Sequence, residues 1–306
     1  EEYKKIAAPK YRPFNKITVE GEVLTKEPVD EQGIKLAKRE TAWYEKARLL
    51  NIPELPRIYK TGPLQMEYIH GRNIYDCDFS YEEKKKILKT WIDALNVVHK
   101  SGTCPTDTFS IQEAYFNKTM MRLSQIQNML PFGTDETVVV NGKRCRNVFY
   151  HIRELEEKLD VLKTNCKEFV FIHGDCTFSN LMVREDNSPV FIDPRGYFGY
   201  TELYGDVRYD WAKLYYSIVG NYDQFNLKRF RLRIYDNPEE RVELDIESNH
   251  WEKLEKDFFE YTGADEYEIK LLHAIIWLSL TTYAWQDYDS VCGAFYNGLW
   301  YLEDVL

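Results

Sequence analysis

His173-Gly174-Asp175-Cys176-Thr177-Phe178-Ser179-Asn180, followed by Ile192-Asp193-Pro194-Arg195-Gly196, places an Asp, an Asn and a second Asp in two short loops. Working outward, residues 169–172 read Phe-Val-Phe-Ile, an apolar run that predicts a buried strand leading into the first loop. Residues 181–184 and 189–192 flank Asp186-Asn187-Ser188, the composition of a hairpin and its turn. Such a hairpin carries Asn180 and Asp193 to the same end. Asp175 is then suited to take a proton from a substrate hydroxyl. Asn180 and Asp193 present hard oxygen ligands to magnesium, which dehydrates reluctantly and borrows its other ligands from water and nucleotide phosphates. The pattern predicts phosphoryl transfer from ATP with Mg2+.

A later Gly205-Asp206-x-x-Tyr209-Asp210 completes the series. In this order the motifs resemble those of the aminoglycoside phosphotransferase and choline kinase superfamily, small-molecule kinases with a protein-kinase-like fold. These enzymes carry an HGD-x4-N loop followed by a hydrophobic-Ile-Asp loop. The resemblance implies an α+β, two-lobed fold: a small β-rich N-terminal lobe over residues 1–70 that ends in a hinge, and a larger, mainly helical lobe over 71–306 for catalysis and substrate. It implies transfer of the γ-phosphate of ATP to a hydroxyl of a small molecule. It also implies that His173 packs beneath the catalytic loop and that Asp210 buttresses the loop backbone, both as structural supports, with Asp206 a cap or anchor of the same kind.

Bulk properties agree. At 306 residues the chain exceeds the roughly 100–200 residues of a typical domain, and 44% hydrophobic with 15% aromatic residues supply a large core. A net charge of −10 argues against nucleic acid as a partner, since phosphate-backbone binding depends on Lys and Arg releasing counterions. The six cysteines show no CxxC pair, and reduced thiols are expected. No apolar run reaches the roughly 20 residues of a membrane span; the longest, at 271–280, is interrupted by His273 and Ser279. No secretory signal is visible, so a cytoplasmic protein is expected. The chain begins Glu1-Glu2-Tyr3 without Met, which leaves room for an upstream domain.

In the first third, residues 14–19 and 22–26 alternate about Glu20-Gly21, predicting a hairpin. Residues 34–50 have helical periodicity through Leu36, Trp43, Ala47 and Leu50. Kinase-like folds hold the nucleotide phosphates with a strand Lys oriented by a Glu of the next helix. Lys26 and Glu40 occupy those places, Glu45 being the alternative carboxylate and a pair of solvated surface charges the plain alternative. Gly21 is the only glycine between Tyr11 and Lys26, so the phosphates must be covered without a glycine-rich loop, by the backbone of the 20–22 turn or with help from Arg12 or Lys16. Residues 64–71 read as a strand running into a glycine turn. This segment resembles the family's hinge, where the backbone of Met66, Glu67 and Tyr68 would meet adenine; the alternative is an ordinary strand with Glu67 exposed.

Farther on, Ser80-x-x-Glu83 is a capping box opening a helix to about Lys100, with His99 structural. Residues 111–130 predict a second helix whose Met120, Met121, Leu123 and Ile126 belong to the core. Val138-Val139-Val140-Asn141-Gly142 predicts a tight hairpin, residues 152–162 a helix, and 230–234 with 242–246 another hairpin. The chain from 251 to 306 is helical and aromatic.

The acceptor is open at this level. Arg195, where choline kinases place an aromatic or acidic residue, suits either an anionic substrate group or the transferring phosphate, or else an ion pair with Glu202 or Asp206. The aromatic residues at 277, 283, 285, 288, 295, 296 and 300 are enough for a choline cage, although aromatics at helical spacing are more often core. Antibiotic kinases instead bind polycationic sugars with carboxylates, for which Asp287 and Asp289 are available; Trp285 and Asp287 are the candidate substrate contacts, and the acceptor pocket is expected between the Asp175 loop and residues 277–300. An amino alcohol such as choline or ethanolamine, a sugar in cell-surface polysaccharide assembly, and an aminoglycoside all remain in play. A non-catalytic kinase-like scaffold would have lost a metal ligand or the base, and this chain keeps them. A protein kinase would carry a glycine-rich loop and a long activation segment, absent between Asp193 and Asp210.

Overall fold

The computed structural model describes residues 14–284 and 287–306. Strands β1 (Asn15–Glu20) and β2 (Val23–Pro28) pair antiparallel around Gly21, whose positive φ of 58° makes the turn. The helix Glu31–Leu49 follows, entering three residues before the expected start because the Asp30 carboxylate accepts the Gly33 N–H at 2.6 Å. Strands β3 (Ile58–Thr61) and β4 (Leu64–Glu67) complete an antiparallel sheet in the order β1-β2-β4-β3.

The chain then crosses to the other lobe through β5 (Gly71–Asn73), which pairs with a strand of the catalytic hairpin at Arg184↔Gly71. That crossing explains Gly71: a Cβ there would lie 2.6 Å from the Val183 carbonyl oxygen. Glu67 is not an exposed strand residue. It receives a bidentate fork from Arg184, at 2.5 and 3.0 Å, which fastens the hinge to the same hairpin.

The helix Tyr81–Lys100 opens with both arms of its capping box, Glu83 N–H to Ser80 Oγ at 3.3 Å and Ser80 N–H to Glu83 Oε2 at 2.8 Å. Strand β6 (Thr103–Pro105) leads to the stretch expected as one helix over 111–130. It is instead two helices, Thr108–Gln112 and Lys118–Ile126, joined by a wider π-type turn at Glu113–Asn117. Leu123 and Ile126 are buried there, but Met121 is exposed and Met120 only partly covered, so the apolar stripe is narrower than expected. Hairpin β7 (Thr137–Val140) and β8 (Lys143–Arg146) turns at Asn141-Gly142, both with positive φ. It joins the hairpin of Phe230–Ile234 and Val242–Ile246 in one four-stranded sheet. Asn141 stitches the two together, its Nδ2 donating to the Leu244 carbonyl and its Oδ1 accepting the Leu244 N–H.

The helix Ile152–Asn165 precedes β9 (Glu168–Phe171), the buried strand into the catalytic loop. Strands β10 (Leu181–Arg184) and β11 (Pro189–Phe191) form the expected hairpin, in register at Leu181↔Phe191. The helix Val207–Ile218 is buried almost throughout, and its N-terminus is capped by Asp206. The helices Glu255–Thr262, Glu266–Leu280 and Tyr288–Leu302 close the chain. All six cysteines are free thiols. Among the described residues no helix is long and apolar enough to cross a membrane.

Two apolar cores result. One lies under the C-terminal helices and the helix Lys118–Ile126. The other runs from the small lobe through the helix Tyr81–Lys100 to the catalytic strands. Trp43 joins the lobes: it is fully buried, stacks on Phe171 at 5.3 Å between centroids, and donates its indole N–H to the Ile172 carbonyl at 2.7 Å. Truncating such a side chain in a packed core costs about 3–5 kcal/mol.

Candidate active site

The strand β9 delivers buried Phe171 and Ile172 to the loop, and Gly174, at φ +83°, reverses the chain. A Cβ at Gly174 would sit 3.0 Å from the Cβ of Arg195, so the two acidic loops touch at this point. The Arg195 N–H donates to the His173 carbonyl at 2.9 Å. His173 is fully buried and bonded at both ring nitrogens: Nδ1 accepts the Asp175 N–H at 3.2 Å, so Nε2 carries the hydrogen toward the Ile192 carbonyl at 3.0 Å. Burial lowers its pKa, which keeps the ring neutral and suits a brace between loops.

Asp210 lies below the loop. Its Oδ2 accepts the His173 N–H and the His99 Nε2 at 2.9 Å each, and its Oδ1 accepts the Gly174 N–H at 2.7 Å. Burial alone would raise its pKa, yet His99 and these donors hold it below the ordinary carboxylate value. A fully buried carboxylate is tolerated because its lone pairs are matched. Asp206 is likewise structural: it receives the Arg208 guanidinium at 2.8–3.0 Å and the Tyr115 hydroxyl at 3.0 Å.

Lys26 is buried within β2, and its Nζ is 2.7 Å from Glu40 Oε1. It also contacts the Asp193 carboxylate. Glu40 is buried on the inward face of its helix. Asp193, at positive φ, keeps a half-exposed side chain facing the cleft. Asn180 donates Nδ2 to the Asp175 carbonyl at 2.9 Å and to Asp175 Oδ2 at 3.2 Å, which leaves its Oδ1 as the acceptor to offer a cation. The Ile192 N–H to Asn180 carbonyl bond, 3.1 Å, locks the two loops in register. Among the described residues no three His, Cys, Asp or Glu side chains form a metal-holding group. One carboxylate and one amide oxygen fit magnesium, which commonly takes one or two protein ligands and completes its shell with water and phosphate.

At the expected hinge, the Glu67 N–H donates to the Arg57 carbonyl at 2.8 Å and the Tyr68 N–H to the Glu22 carbonyl at 2.9 Å. A base lying against Met66, Glu67 and Tyr68 must therefore use groups other than those two donors. The Gly21 turn stands in open space, and Lys16 is exposed toward the other end of the same hairpin, opposite Glu27; Arg12 lies outside the described residues.

Asp175 has a partner that sequence reading did not find. Lys213 Nζ is 2.9 Å from its Oδ1. Burial would raise the Asp175 pKa, but Lys213 and Arg195 outweigh it and hold the group well below the ordinary range. The signal available was spacing: Lys213 follows Asp210 by three residues on one helix, hence on one face.

Asp175, Lys213 and Arg195 line a cavity with Tyr115, Lys118, Arg122, Tyr209, Tyr216 and Tyr222; Ile275, Ile276, Ser279 and Leu280 form its apolar wall. Arg195 donates to the Tyr209 hydroxyl at 3.3 Å, while Asp206 is occupied by Arg208. This cavity sits on the helices Lys118–Ile126 and Glu266–Leu280, and of the expected 277–300 wall only Ser279 and Leu280 line it among the described residues. Trp277, Phe295 and Tyr296 are fully buried core residues. Asp287 is turned to Lys228 Nζ at 2.7 Å and Ser290 Oγ at 2.5 Å and does not line the cavity; Trp285 lies outside the described residues. Lys118 and Arg122, a basic pair at i and i+4 in a helix read as apolar, were the missed clue.

The cleft thus has a Lys-Glu-Asp line on one side and Asp175 with its Lys213 counterion on the other. Residues 35–242 match the model of the phosphotransferase enzyme family. No curated protein matches the chain significantly. Among solved structures, the chain is similar to a glucosamine kinase in complex with glucosamine, ADP and inorganic phosphate (TM-score 0.59, 9% identity, 95% of this chain and 79% of that one). It is also similar to choline kinase LicA from Streptococcus pneumoniae (0.55, 14%, 95% and 90%). A third likeness is to aminoglycoside phosphotransferase APH(3'')-Id from Streptomyces rimosus in complex with ADP and streptomycin (0.53, 14%, 91% and 97%). At these identities the likeness establishes the protein-kinase-like fold. With more than half of its length under the family model, the chain belongs to the phosphotransferase enzyme family.

Proposed function

We propose that the chain is an Mg-ATP-dependent kinase that moves the γ-phosphate onto a hydroxyl of a small molecule. The observation that carries this reading is the buried Lys26, which joins Glu40 of the small lobe to Asp193 of the large one. A cation so placed suits the nucleotide phosphates, with Glu40 fixing its direction. The base would lie against Met66, Glu67 and Tyr68, where residues 1–70 give way to 71–306. Asn180 and Asp193 would hold magnesium, which neutralises phosphate charge when bound.

Asp175 stays ionised because Lys213 and Arg195 neutralise its surroundings. A carboxylate so acidic is a weak base toward a ground-state hydroxyl. Its role is to accept that hydroxyl's hydrogen bond, aim the oxygen, and take the proton late, once bonding to phosphorus has made it acidic. This suits a loose transition state, in which positioning and charge stabilisation supply most of the acceleration. His173, Asp210 and His99 hold the loop that aims it.

The test is calorimetric titration with ATP, with and without magnesium, followed by an ATP-consumption screen over hydroxylated small molecules. Magnesium-coupled binding is expected. Absence of nucleotide binding under both conditions would refute the reading and favour a non-catalytic scaffold.

A further inference from the structure

Four cations, Lys118, Arg122, Arg195 and Lys213, line the cavity beside Asp175, and Asp175 is the only acidic side chain among its described lining residues. Asp175 already has Lys213 at 2.9 Å as counterion. The balance is positive, in a chain whose net charge is −10. This local excess is therefore not an overflow of a basic surface.

The aromatic part of the wall does not offset it. Tyr216 and Tyr222 stack at 4.3 Å, which resembles a platform for a cationic headgroup. The Lys213 ammonium, however, stands 5.4 Å from the Tyr216 ring centre and 5.9 Å from that of Tyr222. The protein's own cation therefore already stands beside the rings that a quaternary ammonium would use. A polycationic sugar meets the same obstacle, since like charges a few ångströms apart in a partly buried site repel by on the order of several-fold more than in bulk water.

Lys118 is half-buried, and no hydrogen bond or ion pair to it is present among the described residues. Burial and then the neighbouring Arg195, Arg122 and Lys213 push its pKa well down. An anion placed beside this amine would favour its charged form. Arg122 is aimed at this place by two hydrogen bonds from its Nη1, to the Ser279 carbonyl at 2.6 Å and to Ser279 Oγ at 2.9 Å. The π-type turn at Glu113–Asn117 sets the pitch at which Ala114, Lys118 and Arg122 share one face of the cavity.

Resting on the kinase reading above, we infer that the acceptor is a hydroxyl compound that itself carries an anionic group, a phosphate ester or a carboxylate, held by Lys118 and Arg122 with Arg195 while its hydroxyl faces Asp175. Lys26, Asn180 and Asp193 do not line this cavity, so its cations are set apart from the groups proposed for the nucleotide phosphates and metal. The chemistry transfers the γ-phosphoryl of ATP to the acceptor oxygen and releases ADP. The P–O bond to ADP breaks, the new P–O bond forms, and the hydroxyl proton leaves by way of Asp175. The product carries one more phosphate than the substrate, so the anion site reads a group that does not react.

The test uses the whole chain saturated with Mg-ADP, so that nucleotide binding is established before the acceptor is tried. Glucose 6-phosphate and other sugar phosphates form one arm, glucuronate and gluconate a second, and glucose, glucosamine and choline a third. Thermal stabilisation and, with ATP, turnover are expected in the first or second arm only, and which arm responds identifies phosphate or carboxylate. Lys118→Met and Arg122→Met should each raise the acceptor KM by about 10–100-fold with a smaller change in kcat and unchanged ATP affinity, as for groups that bind without taking part in the transfer. Lys118→Arg should restore most of the binding, which separates lost charge from lost folding. Preference for the third arm, no response in the first two while Mg-ADP binds, or weakened ATP affinity in Lys118→Met would each overturn the inference. Failure of Mg-ADP itself to bind would instead strike the kinase reading beneath it.

Discussion

The side of the cleft proposed for the nucleotide and the side proposed for the acceptor are built on different plans. The first is assembled from residues in or next to strands: Lys26 within β2, Asn180 and Asp193 at the open end of the β10-β11 hairpin, and Glu40 on the helix that follows β2. Its positions follow from local pairing and short connections. The second is assembled from helices at 118–122, 209–222 and 275–280, brought together only by packing. Strand pairing constrains the part that handles a constant substrate. The helical wall, free of ladder hydrogen bonds, is where residues can change without disturbing the loops, and here it has become cationic.

Four experiments would break or sharpen this contrast. The largest effect is expected from Asp193→Ala, which removes the carboxylate facing Lys26. Turnover should be abolished and the magnesium coupling of ATP binding lost in calorimetry; coupling that survives would move the metal site elsewhere. Next comes Asp175→Asn, expected to lower kcat by roughly 10²–10⁴ with ATP affinity nearly intact. Its companion Lys213→Met tests the counterion. Without Lys213, burial raises the Asp175 pKa, so activity should fall toward acid pH in the variant across a range where the wild type is flat. Flat pH profiles in both would mean that Lys213 does not govern the charge on Asp175.

Lys26→Met should weaken ATP binding or slow transfer by roughly 10-fold or more without unfolding the chain, and Glu40→Gln should act in the same direction. Contacting residues in one network commonly show coupling of about 0.5–3 kcal/mol in a double-mutant cycle. Strict additivity would return Glu40 to the role of a bystander. The smallest effect concerns stability. Buried Asp223 accepts the Ser179 N–H at 2.9 Å, its second oxygen has no partner, and burial lifts its pKa to about 6. A folded-state pKa above the unfolded one favours the fold at acid pH, and that contribution is lost as pH rises through about 6. Asp223→Asn should therefore stabilise the protein by roughly 2–3 kcal/mol at pH 8 in urea denaturation, with most of the gain gone by pH 4.5. A gain independent of pH would mean that Asp223 is not buried as a strained acid.

The same contrast explains what sequence reading reached. The catalytic strand, the β10-β11 hairpin, the capping box at Ser80 and the Asn141-Gly142 turn were legible because each is written in a short window by alternation, caps or turn residues. The interrupted helix over 108–126 was not, because a π-type turn leaves the apolar spacing nearly unchanged. The ion pair of Glu67, read as a hinge residue or else an exposed strand residue, was not legible because its partner, Arg184, is 117 positions away. The aromatic C-terminus suggested a cage, and Trp277, Phe295 and Tyr296 form core, since period-3.6 aromatics read alike in both settings.

What the sequence determined by itself is the order of the chemistry-bearing loops and the strands that carry them, because hydrogen-bonded ladders and tight turns are short-range and tolerate few residue types. What only the tertiary structure decided is which distant side chains surround Asp175. Lys118, Arg122, Arg195 and Lys213 are unremarkable charges along the chain; they become a site because helix packing buries them together beside one carboxylate, and the energy of that encounter depends on distance and desolvation, neither of which is written in sequence spacing.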